Sequence, residues 1–74
     1  MSATKQDPET KKKILKVLKE ILEENDNMFI KTFAERLNAP YRTVYKWFYN
    51  NYIPRLSYIK RICEVFGVSV SRFF

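Results

Sequence analysis

Apolar residues recur three and four apart along most of this chain. Ile14, Leu15, Val17, Leu18, Ile21 and Leu22 fall on one stripe, the signature of an amphipathic helix. Asp7-Pro8 opens that stripe as N-cap and first helical residue, so a first helix is expected over Pro8–Glu24. Asn25-Asp26-Asn27 reads as a turn. A second helix follows over Ile30–Leu37, with Phe33, Ala34 and Leu37 on one face. Asn38 ends it, because Asn tolerates the left-handed backbone. Pro40 suits the first position of a third helix, about residues 40–49, which Asn50-Asn51 breaks. A fourth spans Leu56–Phe66 with Leu56, Ile59, Ile62, Cys63 and Phe66 inward, closed by Gly67. Ser69 caps a last short turn holding Phe73 and Phe74. No stretch alternates with a period of two. The expected fold is therefore all-α, a compact five-helix bundle over residues 8–74, preceded by a flexible basic arm over residues 1–7.

The third helix is the unusual one. At about 100° per residue, with Tyr41 at zero, Tyr45, Tyr49, Arg42 and Lys46 fall within an arc of about 140°. Val44, Trp47 and Phe48 fall on the other side, Phe48 close to the boundary. One face thus belongs to a core. The other presents three phenols, a guanidinium and an amine, with no acid and no small residue. An ordinary solvated helix face is rich in Glu, Lys and Gln. Arg can bond guanine bidentately, Lys reaches bases or phosphates, and tyrosine hydroxyls bond phosphates or base edges. The same residue types make hot spots at protein interfaces. A third reading, in which the tyrosines pack against neighbouring helices, suits Tyr49 best.

Charge sharpens the choice. The 74 residues carry +6. Residues 40–74 hold Arg42, Lys46, Arg55, Lys60, Arg61 and Arg72 against Glu64 alone, a net +5, which leaves +1 for residues 1–39. A basic half suggests a polyanionic partner, although surface lysines also keep small domains soluble. Arg55, Lys60, Arg61 and Arg72 are candidates for phosphate binding, or else plain solvated surface. The first helix sets its lysines against the macrodipole, Lys11, Lys12 and Lys13 near the start and Glu20, Glu23 and Glu24 near the end. The pairs Lys16/Glu20 and Lys19/Glu23 can offset this by a few tenths of a kcal/mol, roughly.

Composition removes other chemistries. There is no histidine and one cysteine. A structural zinc site needs about four Cys/His ligands, and the commonest general base is missing. No metal, no cofactor and no enzymatic activity are expected. Cys63, among Ile59, Ile62 and Phe66, reads as a small buried hydrophobe. Trp47 reads as core, its indole N–H seeking a backbone carbonyl. No apolar run approaches the roughly 18 residues of a membrane span. The polar start argues against a signal peptide, and a cytoplasmic, nucleoid-associated setting in a bacterial cell is expected.

Phe33-Ala34-Glu35-Arg36-Leu37-Asn38-Ala39-Pro40 resembles the L-A-x-x-L-G-V-S of the Cro/repressor-type helix-turn-helix family, the phage-repressor or xenobiotic-response-element class. The resemblance continues through Thr43-Val44-x-x-Trp47, Pro54-x-Leu56, Ile62-Cys63-x-x-Phe66-Gly67-Val68-Ser69 and Phe73-Phe74, where the family has T-I-x-x-W, P-x-L, I-A-x-x-L-G-V-S and L-F. It runs without a gap from Met28 to Phe74, about two thirds of the chain. The resemblance implies a sequence-specific regulator of double-stranded DNA, probing the major groove with its third helix. A repressor is expected, acting as a homodimer on a palindromic operator, with RNA polymerase as a further candidate partner. A protein-interaction module on the same scaffold is the alternative. The family's base-reading positions fall on Tyr41, Arg42, Tyr45 and Lys46. Thr43 matches a backbone-contacting position, and Asn50, Asn51 and Tyr52 would lie near a phosphate. Lys31, Tyr49 and Arg55 complete the expected backbone contacts.

The chain also departs from the family. Ile30 stands where a phosphate-clamping Gln is usual. Phe48 and Glu23 replace the members of a family ion pair. The two turn glycines are Asn38 and Asn50, both tolerant of positive φ. The N-cap positions of the second and fourth helices hold Phe29 and Arg55, neither a good N-cap.

Overall fold

The computed structural model describes residues 8–50 and 52–74. The expected basic arm, the Asp7 cap and Asn51 lie outside the described residues. Four α-helices form: α1 (Pro8–Glu24), α2 (Ile30–Leu37), α3 (Tyr41–Tyr49) and α4 (Leu56–Phe66), followed by a single 3-10 turn, Val70–Phe73. The fold is all-α, but the fifth element expected from the sequence is only that one turn. Ser69 caps it, accepting from the Ser71 amide at 3.2 Å.

The core is where the helical spacing put it. Ile14, Val17, Leu18 and Ile21 of α1 meet Phe33, Ala34 and Leu37 of α2 and Val44, Trp47 and Phe48 of α3. Ile59, Ile62 and Cys63 of α4 and Phe73 complete it. Phe33 is its aromatic centre. It stacks on Phe66 at 5.0 Å between ring centroids and meets Phe48 edge-on at 6.0 Å. Phe48 is therefore core rather than boundary, taking an apolar partner where the family has a charge. Cys63 is buried as expected, and burial, followed by the nearby Glu64, pushes its thiol up from the ordinary value.

Two turns repeat one device. Asn38 takes φ 56° and Gly67 takes φ 68°. In each, the next amide reaches back five residues, Ala39 N to Ala34 O and Val68 N to Cys63 O, both at 3.0 Å. This left-handed ending closes a helix and reverses the chain within two residues, and it fixes how α3 leaves α2. Asn50 does not repeat it. Its φ is −114°, a value open to most residues, so the tolerance of Asn for positive φ is not used there. Pro40 is corrected. At φ −61° and ψ 136° it is the N-cap of α3, outside the helix, because an extended ψ lets the chain turn out of the Asn38 corner.

Leu56, expected inward, is 54% exposed. As the first residue of α4 it precedes the packed turn that begins to bury Ile59. Neither Lys16/Glu20 nor Lys19/Glu23 forms an ion pair among the described residues. Glu20 and Glu24 instead grip Arg72, which lies on the 3-10 turn. Its Nη1 donates to Glu24 Oε1 at 3.0 Å, and its Nη2 donates to Glu24 Oε2 and to Glu20 Oε1, the last at 3.2 Å. The fork pins the 3-10 turn to α1 over Phe73. It also answers the acidic C-terminal end of α1, which the macrodipole alone disfavours.

Two predictions arise here. The Arg72 fork holds the Glu24 carboxyl below its ordinary pKa of 4.5. A depressed carboxylate adds stability above its unfolded pKa and loses it as pH falls through the folded value. Urea midpoints of the parent and of Arg72→Met will therefore differ at pH 6 and converge towards pH 3; a constant gap would refute the role of the ion pair. Separately, Phe29 is the N-cap of α2, extended and with no side-chain cap bond, and is 79% exposed. Phe29→Ser supplies the missing acceptor at little packing cost. It should raise stability by about 1 kcal/mol, read as a higher melting midpoint.

Candidate nucleic-acid interface

The αL corner at Asn38 sets α3 against α2 with Val44, Trp47 and Phe48 buried. Its remaining face is therefore turned outward. Tyr41, Tyr45 and Tyr49 are 49%, 40% and 62% exposed, so packing against neighbouring helices does not explain them, Tyr49 included. They lie against one another instead. Ring centroids lie 5.8 Å apart for Tyr41–Tyr45 and 4.6 Å for Tyr45–Tyr49, with tilted planes. Arg42, exposed, stands beside this ladder.

Lys46 leaves the row. It is half-buried, and its Nζ sits 5.5 Å over the Tyr52 ring, within the range of a cation–π contact. That contact draws it towards a cleft of about 210 Å³ between α3 and the loop leading to α4. Thr43, Lys46, Trp47, Tyr52, Ile53, Arg55 and Tyr58 line it. The expected site residues thus sort into two groups. Tyr41, Arg42, Tyr45 and Tyr49 share the ladder face, while Thr43, Lys46, Tyr52 and Arg55 share the cleft. Asn50 is exposed at the end of α3, and Lys31 is exposed on α2, outside both groups.

The cleft is electropositive by composition. Residues 36–63 contain six cations and no acid. Trp47 is part of its lining, edge-on to Tyr58 at 5.2 Å. The carbonyl expected for the indole N–H is not found, since no acceptor among the described residues meets it.

Two candidate phosphate cations are otherwise engaged. Arg72 is held by Glu20 and Glu24. Arg61 donates from Nη1 to the Leu37 carbonyl at 3.1 Å and lies 5.1 Å over the Tyr58 ring. It serves as a C-terminal cap for α2, which ends with unpaired carbonyls. Arg36 likewise lies over the Phe66 ring at 5.0 Å. Arg55 and Lys60 remain exposed. Sequence reading missed the Arg61 cap because a bond across 24 residues leaves no local pattern.

Among the described residues, no helix is long and apolar enough to cross a membrane. Nor do three or more His, Cys, Asp or Glu side chains gather as a metal site.

Two helices joined by a tight left-handed corner, the second with an acid-free basic and aromatic face outward, define a helix-turn-helix protein of the DNA-binding class. A family model described as Helix-turn-helix matches residues 18–73. The chain belongs to this Cro/repressor-type helix-turn-helix family, whose members are DNA-binding transcription regulators and not typically enzymes. No curated protein and no solved structure gives a significant match.

Proposed function

We propose that this protein is a sequence-specific transcriptional regulator, a repressor that occludes a promoter, with α3 in the major groove of double-stranded DNA. One observation carries the reading: the outward face of α3 offers a row of adjoining phenols and a guanidinium, with no acid among residues 36–63. In this reading Tyr41, Arg42, Tyr45 and Lys46 meet base edges. Thr43, Tyr49, Asn50, Asn51, Tyr52, Lys31 and Arg55 meet the sugar-phosphate backbone. The cleft lined by Thr43, Lys46, Tyr52 and Arg55 suits a phosphate beside the groove, in place of the clamp that Ile30 cannot make.

A surface this small reads about four to six base pairs, too few for specificity. A homodimer on a two-fold operator, half-sites roughly one turn apart, supplies the rest. The exposed Phe74 is one candidate for the dimer contact. The protein acts where bacterial DNA lies, in the nucleoid.

Selection of bound duplexes from a random DNA pool tests this. The expected result is an enriched, palindromic site whose binding weakens steeply with salt. Failure to enrich any duplex would overturn the reading. The second reading is a protein-interaction module, favoured by the absence of the Gln clamp at Ile30. It predicts an aromatic contact with weak salt dependence.

A further inference from the structure

Tyr41, Tyr45 and Tyr49 rise along α3 at one turn each. At about 1.5 Å per residue their ladder is about 12 Å long. Duplex DNA advances about 3.4 Å per base pair, so a ladder lying along the groove spans three to four base steps. The rings lie tilted against one another, at 5.8 and 4.6 Å between centroids, and together make one continuous apolar strip, still about half exposed. None of the three hydroxyls bonds to protein among the described residues, so each is free to turn towards solvent or phosphate at the strip's rim.

The floor of a major groove is polar, with one exception. Only the C5-methyl of a pyrimidine offers an apolar surface there, in unmodified DNA that of thymine. Ring carbons laid over carbonyl or amino edges would strip water from those groups and return no hydrogen bond. Laid over methyls, they bury apolar surface on apolar surface. Arg42, immediately beside Tyr41, adds the bidentate fork that suits guanine.

We propose, on the strength of the major-groove reading above, that the ladder reads pyrimidine C5-methyls. Each half-site then carries thymines beneath Tyr41 and Tyr45, beside a guanine taken by Arg42. Because the ring senses a methyl rather than a base-pairing edge, 5-methylcytosine substitutes for thymine at the same positions.

The test uses the full chain and the duplex enriched from a random pool, with thymines replaced one at a time by deoxyuridine, which removes the methyl alone. At ladder positions each replacement should weaken binding about fourfold, the value of one buried methyl group. Cytosine at those positions should bind more weakly than 5-methylcytosine. Tyr45→Phe should keep the uracil penalty, and Tyr45→Ala and Tyr41→Ala should abolish it at their own positions. The proposal is overturned if uracil is neutral at every thymine, if the site has no thymine, or if the penalty is equal in the parent and both alanine variants, which would assign the methyl effect to DNA shape. A chain that binds no duplex of any sequence, yet folds, defeats the major-groove reading itself and is distinguishable from all of these.

Discussion

Phe33→Ala should be among the most destabilising single substitutions in this chain. Phe33 is fully buried and touches the two rings that join α3 and α4 to it, Phe48 and Phe66. Truncating such a ring costs about 3–5 kcal/mol, through lost transfer energy and the cavity left behind. A chain of this length has only roughly 4–11 kcal/mol to lose. At about 4–8 °C per kcal/mol for a small domain, the melting midpoint should fall by roughly 12 °C at the least. Thermal unfolding followed by far-ultraviolet circular dichroism reads this directly. A fall under 5 °C would mean that the three-ring cluster does not centre the core. Phe33→Leu, which keeps most of the volume, should cost much less.

Arg42→Ala and Lys46→Ala should each weaken operator binding by about 1–3 kcal/mol, roughly five- to 150-fold, and without unfolding the chain. The two should differ in kind. Arg42 is exposed beside the ladder, so its loss should relax selectivity at one base pair. Lys46 is drawn over Tyr52 into the cleft with Arg55. If it meets phosphate from there, its loss weakens all sequences alike and lowers the salt slope by about one. If it reads a base, selectivity relaxes at one position instead. Competition titrations against single-base variants at two salt concentrations separate these outcomes. Parent-like binding by both variants would remove α3 from the groove.

Most of the architecture was legible because it is periodic. The four helix spans and thirteen of the buried apolar positions obey a local rule that needs no knowledge of neighbours. Asn38 and Gly67 were legible for a related reason, since few residues accept a left-handed backbone. Legibility failed at ends and over distance. Pro40 fits equally as cap or first helical residue, and the adjoining corner decides. Leu56 obeys the helical period but lies before the turn that packs. Arg61 and Arg72 read as phosphate-binding candidates or solvated cations, and each found an acceptor far along the chain, the Leu37 carbonyl and the Glu20 and Glu24 carboxylates. The outward face of α3 could be read in direction from the wheel. The tilt of its rings into a ladder, and the withdrawal of Lys46 to Tyr52, come from contacts between side chains that no spacing encodes.

The chain has a single indole, and Trp47 holds it in the lining of the cleft, against Tyr58. Its emission is thus a built-in optical probe of that cleft. An anion settling between Lys46 and Arg55 would change the indole's surroundings, whereas a ligand confined to the tyrosine ladder would leave its spectrum nearly untouched. Unlabelled protein in a fluorimeter can therefore report which half of the surface is occupied, and how fast.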